Sequence, residues 1–180
     1  MKKLFIALLA LGLIAPAVLH AQVKPFVGAS IGASFYDTSI EDVSGDDFKL
    51  EGEEFAWKIF GGLTAMKFLG LEGGYVHLGE TQNSTESFNV ESKTTGWDLF
   101  AVGNLPVGPI GVFGKAGVLW WRADQKIDEA PFEVTGSDFM WGLGAMLKLG
   151  GLGIRAEFER VELEGGDSVM LLTAGVTFGM

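Results

Sequence analysis

Residues 26–36 read FVGASIGASFY, and their alternation decides the fold. Val27, Ala29, Ile31, Ala33 and Phe35 share one parity; Gly28, Ser30, Gly32 and Ser34 share the other. A period of two marks a strand with one apolar face. Small side chains on the second face suit a narrow closed sheet, whose apolar face turns outward to lipid. Composition agrees. Glycine makes up 27 of 180 residues, about twice the usual ~7%. Helices tolerate glycine poorly, whereas on the inner wall of a narrow barrel it leaves room for larger side chains from facing strands.

The pattern recurs along the chain. Further strands are expected at 54–65, 69–79, 95–103, 110–123, 138–149, 152–161 and from Ser168 to the end. Their outward sets include Phe55, Trp57, Ile59 and Leu63; Leu71, Tyr75 and His77; Trp97, Leu99 and Ala101; Val112, Val118 and Trp120. The later strands add Phe139, Trp141 and Leu143; Ile154, Ala156 and Phe158; Met170, Leu172 and Val176. Polar loops at 37–53, 80–94, 124–137 and 162–167 alternate with short turns at 66–68, 104–109 and 150–151. Long loops at one end and short turns at the other are the asymmetry of an outer-membrane barrel. The expected fold is all-β: an eight-stranded antiparallel transmembrane β-barrel, with both termini on the periplasmic side.

Lys2 and Lys3 precede an apolar run from Leu4 to Leu19, broken by Pro16 and followed by Ala21. This reads as a secretory signal peptide over residues 1–21, since the run is shorter than the roughly 20 residues that span a bilayer. The remaining residues 22–180 form one barrel domain. Removing the two signal lysines from the 13 Lys+Arg leaves 11 against 23 Asp+Glu, a net charge of −12, which argues against nucleic acid. With no cysteine, disulfides and thiolate metal sites drop out.

A soluble lipocalin-like barrel would alternate in the same way with its apolar face inward, so an independent marker of the faces is needed. Trp57, Trp97, Trp120, Trp121 and Trp141 all fall toward the long loops, and all but Trp121 have outward parity. Trp57, Trp97, Trp120 and Trp141 therefore read as an aromatic girdle at one membrane interface, where an indole buries its ring and keeps its N–H near water.

The stretches AWKIFGGL (56–63), LGLEGGYVHLG (69–79), GWDLFAVGNLPVG (96–108), GVFGKAGVLWW (111–121) and IRAEFERV (154–161) carry a further signal. Together they resemble the OmpA-like and OmpX-like eight-stranded outer-membrane barrels. The shared pattern is a lumenal Glu after the second strand, a Lys or Arg in the Gly-rich fifth, and Arg-Ala-Glu in the seventh. The resemblance implies a Gram-negative cell envelope, a porin-like fold and insertion by the barrel-assembly machinery. The chain departs from the family by ending in Met180, where an aromatic is usual and Phe178 is the nearest. The reading expects no peptidoglycan-binding domain after the barrel, so the wall-anchoring role of two-domain relatives is not expected.

Inward parity collects Lys58, Glu72, Asp98, Lys115, Arg155, Glu157 and Glu159 in an interior just wide enough for side chains. Enclosed charges must pair, so a plug of ion pairs centred on Glu72, Lys115, Arg155 and Glu157 is expected. The resemblance implies that such a network can act as a gate in some relatives.

A lipid A-modifying enzyme would depend on His77, the one histidine after the signal. The sequence His77-Leu78-Gly79 lacks the serine two residues on that a deacylase motif supplies, and Ser84 and Ser87 form no elbow. His77 reads as an interfacial residue beside Tyr75. No catalytic, cofactor-binding or metal residues are expected. The acidic segment 37–53 fits no EF-hand, and the acceptor pattern Asn83-Ser84-Thr85 falls in the wrong compartment for glycosylation.

Arg122 and Arg160 have outward parity in the tryptophan band, where guanidinium groups suit the phosphates of lipopolysaccharide. The expected function is a structural or surface-interaction role in the cell outer membrane, with an unidentified surface ligand. A narrow gated channel and a lipid A-modifying enzyme are the alternatives.

Overall fold

The computed structural model describes residues 23–37, 53–66, 68–85, 88–127, 130–163 and 168–179. The signal segment 1–21 and residues 38–52 of the acidic segment lie outside them, as do the side chains of Asn83, Ser84 and Thr85. Eight strands follow in chain order: β1 (Lys24–Asp37), β2 (Glu53–Met66), β3 (Leu69–Thr85), β4 (Phe88–Val107), β5 (Ile110–Ile127), β6 (Ala130–Leu149), β7 (Leu152–Glu162) and β8 (Ser168–Phe178). Each pairs antiparallel with the next, and β8 returns to β1 through Val27↔Phe178 to Asp37↔Ser168, which closes the barrel. Closure gives the backbone of the wall its partners without water, as a bilayer requires.

Burial sorts the two faces. Val27 and Ile31 are each 62% exposed, while Ser30 and Ser34 between and beyond them are 3% and 0% exposed. Ile59, Leu71, Leu99, Leu143 and Leu172 continue the exposed apolar band around the wall. An apolar surface this continuous is untenable in water and is what hydrocarbon solvates. The lumen carries Phe26, Phe60, Phe100, Phe113, Met140 and Met146 together with the charged residues.

The short turns sit at one end. The β4–β5 turn is Gly108-Pro109, with Val107 paired to Ile110, and the β6–β7 turn is Gly150-Gly151, with Leu149 paired to Leu152. Gly108 and Gly150 have φ of 65° and 68°, a glycine in the first loop position as II′ hairpins require.

At the other end the strands are longer than the sequence analysis expects. Residues 80–94 and 124–137, read there as loops, belong mostly to β3, β4, β5 and β6. The β3–β4 ladder reaches Thr85↔Phe88, the β5–β6 ladder Ile127↔Ala130, and the β4–β5 ladder Val90↔Ile127. By contrast, β2 pairs with β3 only as far as Trp57↔His77, and β7 with β6 only from Phe139↔Glu162. Four strands therefore rise beyond the closed wall as a sheet. The reason for the misreading lies in the pattern: in these segments the apolar alternation fades while β-favouring Val and Thr residues remain. The expected turn 104–109 likewise shrinks to two residues, because Asn104–Val107 stay in the ladder.

Candidate functional site: a charged layer across the lumen

Seven ionisable side chains from five strands meet inside the barrel: Lys58 (β2), Glu72 (β3), Asp98 (β4), Lys115 (β5), and Arg155, Glu157 and Glu159 (β7). None is more than 4% exposed. Lys58 Nζ lies 2.8 Å from Asp98 Oδ2, 3.0 Å from Glu159 Oε1 and 3.7 Å from Glu72 Oε1. Lys115 Nζ lies 3.1 Å from Glu72 Oε1 and 2.8 Å from Glu159 Oε1, and it also donates to Glu157 Oε2. Arg155 donates from Nη1 to Glu72 Oε2 at 2.7 Å and pairs through Nε with Glu157 Oε1 at 2.5 Å.

Glu72 thus touches all three cations, and Glu159 bridges both lysines. Strands β2 and β7 are not neighbours in the barrel, so the Lys58–Glu159 pair crosses the lumen and staples opposite walls. Enclosed charges carry a desolvation cost of several kcal/mol each. Multiple contacts per ion, in a low dielectric, are what offset it.

The cations are also clamped between aromatic faces. Lys58 and Lys115 Nζ lie 4.8 and 4.6 Å from the Phe100 ring centre, and the Arg155 guanidinium lies 4.4 and 4.5 Å from Phe60 and Phe113. Ring quadrupoles attract a cation at such distances. These phenylalanines are absent from the expected site. Their signal was available in the sequence, since Phe60, Phe100 and Phe113 are large apolar residues on the otherwise small or charged inward parity. Glycines supply the remaining space. A Cβ on Gly74 would lie 2.9 Å from Lys58 Cε, and one on Gly142 would lie 3.0 Å from Glu159 Cγ.

On the short-turn side of this layer the void bounded by Phe26, Glu72, Phe113 and Arg155 is about 10 Å³, room for no more than one water. On the other side the lumen opens. A cavity of about 330 Å³ lies there, bounded by residues such as Tyr36, Leu119, Trp121 and Val161.

The outer surface carries the aromatic set. Trp57 stacks on His77 at 5.8 Å and meets Tyr75 at 5.7 Å, and Tyr75 meets Trp97 at 5.2 Å. Trp97 is registered with Trp120 on β5, and Trp141 packs edge-on to Phe158 at 5.9 Å. Trp121 points inward and donates its indole N–H to Asp138 Oδ2 at 2.5 Å. Strands β4, β5 and β6 run on beyond their tryptophans, so the belt lies along these strands rather than at their ends. Arg122 and Arg160 face outward and are carboxylate-paired, Arg122 Nε to Glu133 Oε1 at 3.3 Å and Arg160 Nε to Glu162 Oε1 at 3.0 Å. Glu162 also accepts the Trp141 N–H at 3.1 Å.

Comparison with known proteins places this geometry. The OmpA-like transmembrane domain matches residues 20–156. No curated protein matches the chain in sequence. Among solved structures, the chain is similar to Neisserial surface protein A, with a TM-score of 0.67 at 13% identity over 87% of this chain and 97% of that one. It is also similar to the attachment invasion locus protein Ail of Yersinia pestis (TM-score 0.58, 12% identity, 87% and 96% covered). A third is the N-terminal β-barrel domain of Pseudomonas aeruginosa OprF (TM-score 0.56, 13% identity, 87% and 100% covered). At these identities the likeness is one of fold.

Proposed function

From the premise that this chain belongs to the OmpA-like transmembrane domain family and is an outer-membrane β-barrel, we propose that it works at the cell surface and not as an open pore. Residues 1–21 direct its export, and the barrel-assembly machinery inserts it. The observation that carries the reading is the sheet of β3 to β6 rising past the closed wall. Beyond Asp138, β6 has no second neighbour among the described strands. An unpaired strand edge presents a row of backbone donors and acceptors that another chain can join. A barrel used only to fill the membrane has no need of it. The charged layer below supports the same reading, because it blocks the lumen with paired side chains. Two structural relatives are named as a surface protein and an attachment protein.

The belt of Trp57, Trp97, Trp120 and Trp141 anchors the barrel at the outer interface, and Arg122 and Arg160 meet the phosphates of lipopolysaccharide there. Their carboxylate partners are partly exposed, and exposed pairs are worth only about 0–1 kcal/mol, so exchange to phosphate is accessible.

The test compares cells displaying the chain with cells displaying a variant in which residues 80–94 and 124–137 are replaced by tight turns. Attachment to host cells and matrix proteins should fall with the shortened sheet while the barrel still folds. Equal attachment by both would overturn the surface-interaction reading and leave a purely structural one.

A further inference from the structure

We propose that the outer half of the lumen is a binding site for a small, uncharged, mainly apolar molecule bearing one hydrogen-bonding group. The cavity of about 330 Å³ lies directly above the charged layer. Going outward along the inner face, Lys115 is followed by Leu119, Trp121 and Ala123 on β5, and Glu159 by Val161 on β7; all four later residues line the cavity. Its walls also take in Val134, from the part of β6 that rises beyond the barrel, and Tyr36 at the outer end of β1. The site is therefore a cup built from the barrel mouth and the foot of the projecting sheet.

Its chemistry selects the occupant. At about 30 Å³ for each water-sized group, the cup admits on the order of ten non-hydrogen atoms, within the size range of small-molecule pockets in barrel mouths. Among the described residues, no charged side chain lines it. Two inward-parity carboxylates adjoin the lining: Asp138, held by Trp121, and Glu54, whose Cβ would lie 2.5 Å from one added to Gly79. An anion entering the cup would lose its water and meet these two carboxylates, which disfavours fatty carboxylates and lipid phosphates. Tyr36 and Thr94 bring hydroxyls to the lining, and a hydroxyl can pair with one group of the ligand. Apolar cavities stay poorly hydrated and take up apolar guests, so filling this one needs no other driving force.

The probe is 1-naphthol, neutral and of about the required size, added to the full-length folded barrel in lipid nanodiscs with isotope-labelled methyl groups. The expected result is saturable shifts at Leu119, Val134 and Val161. The anion 1-naphthoate should bind at least about tenfold more weakly. Tyr36→Phe should weaken 1-naphthol about fivefold without changing naphthalene. Ala123→Phe, which places a ring in the cup, should abolish binding while keeping the heat-resistant gel band of the folded barrel; Val134→Trp serves if that variant does not fold. Absence of saturable shifts, or equal binding in the filled variant, would overturn the proposal. So would nuclear Overhauser contacts in the free protein from a lipid acyl chain, or from Phe48 or Leu50, to Val161, because the cup would then already be filled.

Discussion

The two halves of the lumen differ in a way opposite to the usual rule for interiors. The half toward the short turns holds seven ionisable side chains and has almost no free volume. The half toward the projecting sheet is lined by apolar and hydroxyl groups and is hollow. In this barrel, charge is what fills space and apolar wall is what leaves it. The cause lies in reach. Long Lys, Arg and Glu side chains from β2, β3, β5 and β7 span the bore to meet each other, and Phe60, Phe100 and Phe113 close the gaps around them. Val134, Val161 and Ala123 are too short to meet across the same bore.

The comparison breaks first at Glu72, which contacts all three cations. Glu72→Ala should destabilise the barrel by about 3–5 kcal/mol, because it leaves buried Lys115 and Arg155 short of a partner. Urea unfolding from bilayers measures this. On the hollow side, Val134→Ala should cost less than about 1 kcal/mol, since that side chain packs on one side only. Comparable losses at the two positions would remove the distinction between the halves.

Outside the barrel the same logic concerns lipid. Leu99→Arg should cost about 2–4 kcal/mol where the hydrocarbon is thickest, again read from unfolding in bilayers. A variant that inserts as well as the parent would mean that the exposed apolar face does not meet lipid. The smallest effect is expected at the rim: Arg122→Ala with Arg160→Ala should weaken association with lipopolysaccharide and leave stability in neutral detergent unchanged. Equal association would confine both arginines to their pairs with Glu133 and Glu162.

The closed wall was legible in the sequence because lipid and lumen impose opposite demands on alternate residues. FVGASIGASFY therefore revealed the strand and its two faces, and the placement of Trp57, Trp97, Trp120 and Trp141 told which face turns outward. The inward charges were legible for the same reason, since Lys58, Glu72 and Lys115 interrupt small-residue parity in otherwise apolar strands. Three features were not. Strand length beyond the belt was hidden, because segments such as 80–94 and 124–137 lose the period of two. The pairing of each phenylalanine with its cation was hidden: the inward parity of Phe60, Phe100 and Phe113 was legible, but it carries no sign of which cation each ring holds. The cup was hidden because a cavity depends on what fails to meet across the bore, and that is set by the closure of the barrel, not by any one strand.

The central claim is that the ion-paired layer seals the lumen, and single-channel recording in planar bilayers tests it most directly. The purified full-length protein should show no steady conductance at neutral pH. Lys115→Ala with Glu72→Ala, which removes the residues shared by most of the pairs, should produce openings. Large, steady, ion-selective currents from the unmodified protein would contradict the account.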